Sequence, residues 1–170
     1  MRVGSELVQG RPVSLFATVI AAVWGISLPF MTAGASGIED DSAAVIWVEA
    51  EHFQQSGGWV NDAQFVDQMG SPFLLAIGLE GPVADAVTTV AIPKAGKYRL
   101  WVRCRDWVPE FSPGRFQVVV GDKMSQKVFG ASKSGEWVWE DGGEFDLPAG
   151  NLELRLRDLT GHYGRCDAVV

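Results

Sequence analysis

The sequence predicts an all-β protein, an antiparallel sandwich or barrel. Apolar and polar residues alternate through Lys97–Arg105, then again at Phe116, Val118 and Val120, and at Leu152, Leu154 and Leu156. Such alternation sends successive side chains to opposite faces of a strand, one buried and one solvated. The runs are separated by Gly and Pro turns, for example Pro93-Lys94-Ala95-Gly96. Beyond residue 35 no stretch of ten or more residues combines helical periodicity with caps, so the core must be built from sheet packed on sheet.

The chain has 170 residues, enough for one domain with a substantial core. Its first part reads differently. Arg2 and Arg11 precede an apolar run from Val13 to Met31, and Ala33-Gly34-Ala35 supplies a small-x-small cleavage pattern. Charge, apolar run and cleavage site come in the order of a secretory signal. The run is also near bilayer-spanning length, so an uncleaved anchor is the competing reading; Pro29 and the small residues after it favour cleavage. Residues 1–35 are therefore expected to be a signal peptide and the protein to be secreted or periplasmic, with no membrane contact after cleavage. Residues 36–44 are polar and small and read as a linker. The folded domain is expected over 45–170.

Within it the first strand is expected at about 45–51, Val-Ile-Trp-Val-Glu-Ala-Glu. Turn residues punctuate the next stretch: Gly57-Gly58, Asn61-Asp62 and Gly70-Ser71-Pro72, with Gln64–Asp67 as a short strand between them. Phe73–Ile77 is an apolar run of strand length, and Val87–Ile92 is rich in β-branched residues. In Lys97–Arg105, Tyr98, Leu100, Val102 and Cys104 face one way, and Arg99, Trp101, Arg103 and Arg105 the other. Lys127–Phe129, Trp137–Trp139 and Glu144–Leu147 are weaker strands, and Arg165–Val170 is the last one.

Removing Arg2, Arg11 and Glu6 from 14 basic and 21 acidic residues leaves 12 and 20, a net charge of −8. A domain this acidic repels the phosphate backbone and anionic lipid, which argues against nucleic acid or membrane partners. Two cysteines remain, Cys104 and Cys166. They are either a disulfide, allowed in an oxidising compartment, or two buried thiols packed as small hydrophobes.

The carboxylates of the first strand raise a chemical question. Glu49 and Glu51 stand at i and i+2, on one face if the strand is regular. Like charges so placed need a cation between them, calcium or an arginine. If the last strand lies beside the first, Asp167 joins them and the oxygen-rich site suits a hard cation. Two carboxyls about 5 Å apart would also satisfy a retaining glycosidase, but no aromatic sugar platform is evident beside them. Motifs for dinucleotide, P-loop, serine-hydrolase and zinc chemistry are absent. Aromatic residues are the richer resource. Trp59, beside Asn61 and Asp62, Trp107, beside Arg105 and Asp106, and Tyr163, between His162 and Arg165, combine flat faces with hydrogen-bonding groups. That combination suits sugars, whose C–H patches stack on rings while hydroxyls bond the polar groups. The competing reading places the tryptophans in the sandwich core.

The segment Val48-Glu49-Ala50-Glu51-His52-Phe53 resembles the opening signature of family 6-like carbohydrate-binding modules. Ile92–Arg103 resembles their central Pro-x-x-Gly-x-Tyr strand, and Cys166-Asp167-Ala168-Val169 their closing strand. The resemblance implies a galactose-binding-like jelly roll, a glycan or polysaccharide ligand, and a structural calcium held by Glu49, Glu51 and Asp167. A longer likeness, covering about 45–170, is to the N-terminal module of secreted bacterial FAD-dependent oxidoreductases, some with xanthan-lyase-like names. It rests on Gly57-Gly58-Trp59, Gln64–Pro72, Arg103–Trp107 and Asp158–Asp167. In those proteins a flavin domain follows; no flavin-binding glycines occur here, so this likeness implies an accessory domain for a flavoenzyme in cis or in trans, itself without catalysis.

Overall fold

Two antiparallel sheets close around one hydrophobic core. The computed structural model describes residues 44–170; the expected signal peptide and all but the last residue of the linker lie outside the described residues. The strands are β1 (Val48–Glu49), β2 (Trp59–Asp62), β3 (Phe73–Ile77), β4 (Ala86–Ile92) and β5 (Gly96–Arg105). They continue as β6 (Phe116–Val120), β7 (Lys123–Met124), β8 (Trp137–Leu147), β9 (Gly150–Asp158) and β10 (His162–Val169). One sheet runs β2-β3-β10-β5-β8 with β1 also on β10, and the other β4-β9-β6-β7. This is the all-β antiparallel sandwich expected from the alternation, in the jelly-roll arrangement that the family resemblance implies.

The alternation is realised as read. Leu100, Val102 and Cys104 from β5, Phe116, Val118 and Val120 from β6, and Leu154 and Leu156 from β9 join one cluster with Leu74, Ala76 and Cys166. Arg99, Trp101, Arg103 and Arg105 take the other parity of β5 and are not buried. The two weak segments Trp137–Trp139 and Glu144–Leu147 belong to one strand, β8. Pairing with β5 shifts between Leu100↔Gly143 and Trp101↔Asp141, leaving Gly142 as an extra residue, a β-bulge. A Cβ on Gly142 would come within 2.5 Å of Leu100 Cδ2 and 2.9 Å of Phe129 Cζ, so glycine keeps the bulge close to the core.

Four local expectations need correction. The first strand is shorter than 45–51: pairing ends at Glu49, and Ala50–His52 turn into a 3-10 helix. Gln64–Asp67 is no strand; Val66–Met69 form one helical turn (α1), stopped by Gly70 at φ 83°. Phe65, at its start, packs against Phe73 and Trp137, a tertiary contact that period-two counting does not see. Conversely Asn61-Asp62, read as turn residues, belong to β2, which pairs with β3 over Trp59–Asp62. Lys127–Phe129 contributes only a single bridge, Phe116↔Phe129.

Candidate functional site

The first and last strands are neighbours: Val48 pairs with Val169 and Glu49 with Ala168. Glu49, Glu51 and Asp167 therefore approach one another, but not as alternating strand residues, because Glu51 lies in the 3-10 turn. Glu49 Oε1 accepts from Trp47 Nε1 at 2.7 Å. Asp167, 2% exposed, accepts from Arg103 Nη1 at 3.1 Å and from Ser71 Oγ at 3.3 Å. Glu51 Oε2 is buried and has no hydrogen-bond partner. Burial above all, with repulsion from Glu49 and Asp167, raises the Glu51 carboxyl above its ordinary value; burial also raises Asp167, although Arg103 opposes it. One positive charge, Arg103, is already present. Among the described residues, no group of three or more acidic, histidine or cysteine side chains is arranged to hold a metal ion. The oxygen-only donor set nonetheless has the chemistry a hard cation needs.

The aromatic residues separate into core and surface. Trp59 is 1% exposed and packs edge-on against Phe116 at 5.5 Å; it is core and cannot stack on a ligand. Asp106 is also withdrawn from any ligand role. Fully buried, it accepts from Ser112 Oγ at 2.6 Å and from the Lys133 backbone N–H at 3.1 Å. Ser112 and Lys133 both have positive φ, so Asp106 pins two strained loop residues rather than facing solvent.

The remaining expected residues gather at one end of the first sheet. Trp107 leaves β5, donates from Nε1 to the His162 carbonyl at 3.2 Å, and meets Tyr163 edge-to-face at 5.3 Å. Tyr163 has φ 64°, a left-handed conformation costly for a bulky residue and a frequent mark of functional loops. A Cβ on Gly114 would lie 2.6 Å from the Tyr163 carbonyl oxygen, so glycine is what lets the neighbouring loop support this turn. The Arg165 guanidinium lies 5.2 Å from the Trp107 ring, and its Nη1 donates to the Tyr163 carbonyl at 2.8 Å. Burial first, then repulsion from Arg105, lowers Arg165 to about 10. Arg105 lies over Phe65 at 4.3 Å, and Phe65, Phe73 and Trp137 form an aromatic floor beside it. Asn61 is exposed and Asp62 half-buried on β2. Trp107 itself is 38% exposed.

Sequence reasoning missed a second exposed group. Trp47 and Trp139 touch edge-to-face at 5.4 Å, and Trp101 lies under Arg99. All three are among the exposed large apolar residues. Their signal was available for Trp101, which shares parity with the charged residues of β5; for Trp139 it was hidden by the undetected length of β8.

Neither a protein-family model nor a curated protein sequence matches the chain. Solved structures do. A family 35 carbohydrate-binding module from Clostridium thermocellum superposes with a TM-score of 0.59 at 19% identity, covering 75% of this chain and 98% of that one. The C-terminal CBM6 of a laminarinase, LamC, from Zobellia galactanivorans gives 0.56 at 15% identity over 73% and 95%. A GH26-CBM35 β-(1,4)-mannanase from Podospora anserina gives 0.57 at 19% identity; there the match covers 73% of this chain but only 26% of the mannanase. The fold is thus the jelly-roll sandwich of carbohydrate-binding modules. At these identities the likeness is one of architecture.

Proposed function

We propose that this chain is a secreted, non-catalytic carbohydrate-binding module whose ligand site is the Trp107–Tyr163–Arg165 end of the first sheet. The observation that carries the reading is the half-exposed Trp107 locked by a hydrogen bond and an edge contact beside Tyr163 at positive φ. A rigid ring with one open face binds a sugar at little entropic cost. Asn61, Asp62, Arg105, His162 and Arg165 supply donors and acceptors for hydroxyls. A glycan array followed by titration calorimetry tests this: the folded protein should bind at least one polysaccharide, and Trp107→Ala should weaken binding about tenfold or more. A folded protein that binds no glycan would remove the reading.

We also read Glu49, Glu51 and Asp167 as holding a structural calcium. The support is chemical: oxygen donors, a buried Glu51 oxygen without a partner, and carboxyls raised by burial and mutual repulsion. Calcium added to metal-free protein should raise the melting temperature, and Glu51→Gln should reduce the gain. No change in melting temperature would leave Arg103 as the counter-charge for the group.

A second reading is favoured by the exposed Trp47, Trp101 and Trp139: an accessory domain of a secreted FAD-dependent oxidoreductase, docked through that face. It predicts association with a flavoprotein that Trp139→Ser abolishes while glycan binding is unaffected.

A further inference from the structure

The arginines on strands β5, β9 and β10 fall into two groups. Arg99, Arg103, Arg155 and Arg157 each pair with a carboxylate, on Asp141, Asp167, Glu153 and Asp85. Arg105 and Arg165 form no ion pair among the described residues. They are neighbours because β5 and β10 pair at Cys104↔Cys166. Both cysteines face the core, so the adjoining residue at the same end of each strand, Arg105 and Arg165, comes out on the opposite face.

Arg165 is 8% exposed, and its Nε has no hydrogen-bond partner. Arg105 Nε is likewise buried without one. The ring faces of Phe65 and Trp107 stabilise the two cations only partly, because a π-face does not accept the in-plane Nε–H. Asp62 attracts Arg165 but forms no salt bridge with it. Two adjacent guanidinium groups with unmet donors are costly to bury. An oxyanion satisfies both, since the guanidinium fork matches a carboxylate or a sulfate.

We propose that Arg105 and Arg165 form an anion-recognition subsite, and that the glycan taken at this end of the sheet carries an acidic group, a uronate carboxylate or a sulfate ester. The inference rests on the Trp107 site being the glycan site. The chain as a whole is acidic, so the attraction is local: a ring stacked on Trp107 places its substituent beside the two arginines.

Two probe pairs that differ only in charge test this by calorimetry at low salt. One is polygalacturonate against its methyl ester, the other dextran sulfate against dextran. The charged member of one pair should bind about tenfold tighter or more, less so as salt rises; which pair responds separates carboxylate from sulfate. Arg105→Gln should abolish the preference, bringing the charged member down to the affinity that the same variant shows for the neutral one. Arg165→Lys keeps the charge but loses the fork, and should reduce the preference. Equal binding of charged and neutral forms, or a preference that survives in Arg105→Gln, overturns the proposal and leaves the glycan reading standing. If neither form of either pair binds and no other glycan does, the site reading itself falls.

Discussion

Trp59 and Trp107 show how much depends on a residue's surroundings. Both lie near glycines or polar residues in the sequence, yet one is core and the other sits at the sheet's end with its edge tied to a carbonyl. Trp59→Ala would therefore act through stability, whereas Trp107→Ala would act on binding with little change in stability. Glu51 and Asp167 carry a second residue-scale consequence. Burial raises both carboxyls above their ordinary values of 4.5 and 3.8. A raised carboxyl means that the folded state holds its proton more tightly than the unfolded state. Stability from these groups is thus present at low pH and is lost as pH climbs from those values through the raised ones. Without calcium, denaturant midpoints should fall over that interval, and Glu51→Gln should flatten the fall; an unchanged slope in the variant would show that Glu51 is not its source.

At the scale of elements, β10 organises the first sheet. It pairs with β5 on one edge and with β3 and β1 on the other. That arrangement sets Cys104 opposite Cys166, both fully buried and both free, with Cys104 Sγ 3.0 Å from Glu140 Oε1. Burial pushes both thiols well above their ordinary value, which keeps them protonated and unreactive. A thiol reagent should label neither in the native protein and both in denaturant; rapid labelling of the native state would mean that the β5–β10 pair opens. Of the two cysteine readings open from the sequence, the structure holds the thiols. The paired strands put them in register, which spacing along the chain does not reveal.

For the whole molecule, removing residues 162–170 deletes the strand that joins β3 and β1 to β5. The shortened domain should lose its cooperative thermal transition by calorimetry. A sharp transition would show that β5–β8 and the second sheet form a core without it. Much of this architecture was readable beforehand, since Lys97–Arg105, Phe116–Val120 and Leu152–Leu156 each bury one face and declare it by alternation. The candidate site was readable in part. Trp107, Tyr163, Arg105 and Arg165 flank strand ends in the sequence, and the fold gathers them; Trp59 and Asp106 looked alike in composition but are enclosed by neighbours distant in the chain. The sequence by itself determined the fold class, because period-two hydrophobicity is a local property that a single strand expresses alone. Only the tertiary structure decided which arginines lack a carboxylate, which tryptophans stay exposed, and that Glu51 leaves the strand. Each of those depends on what a distant strand brings alongside.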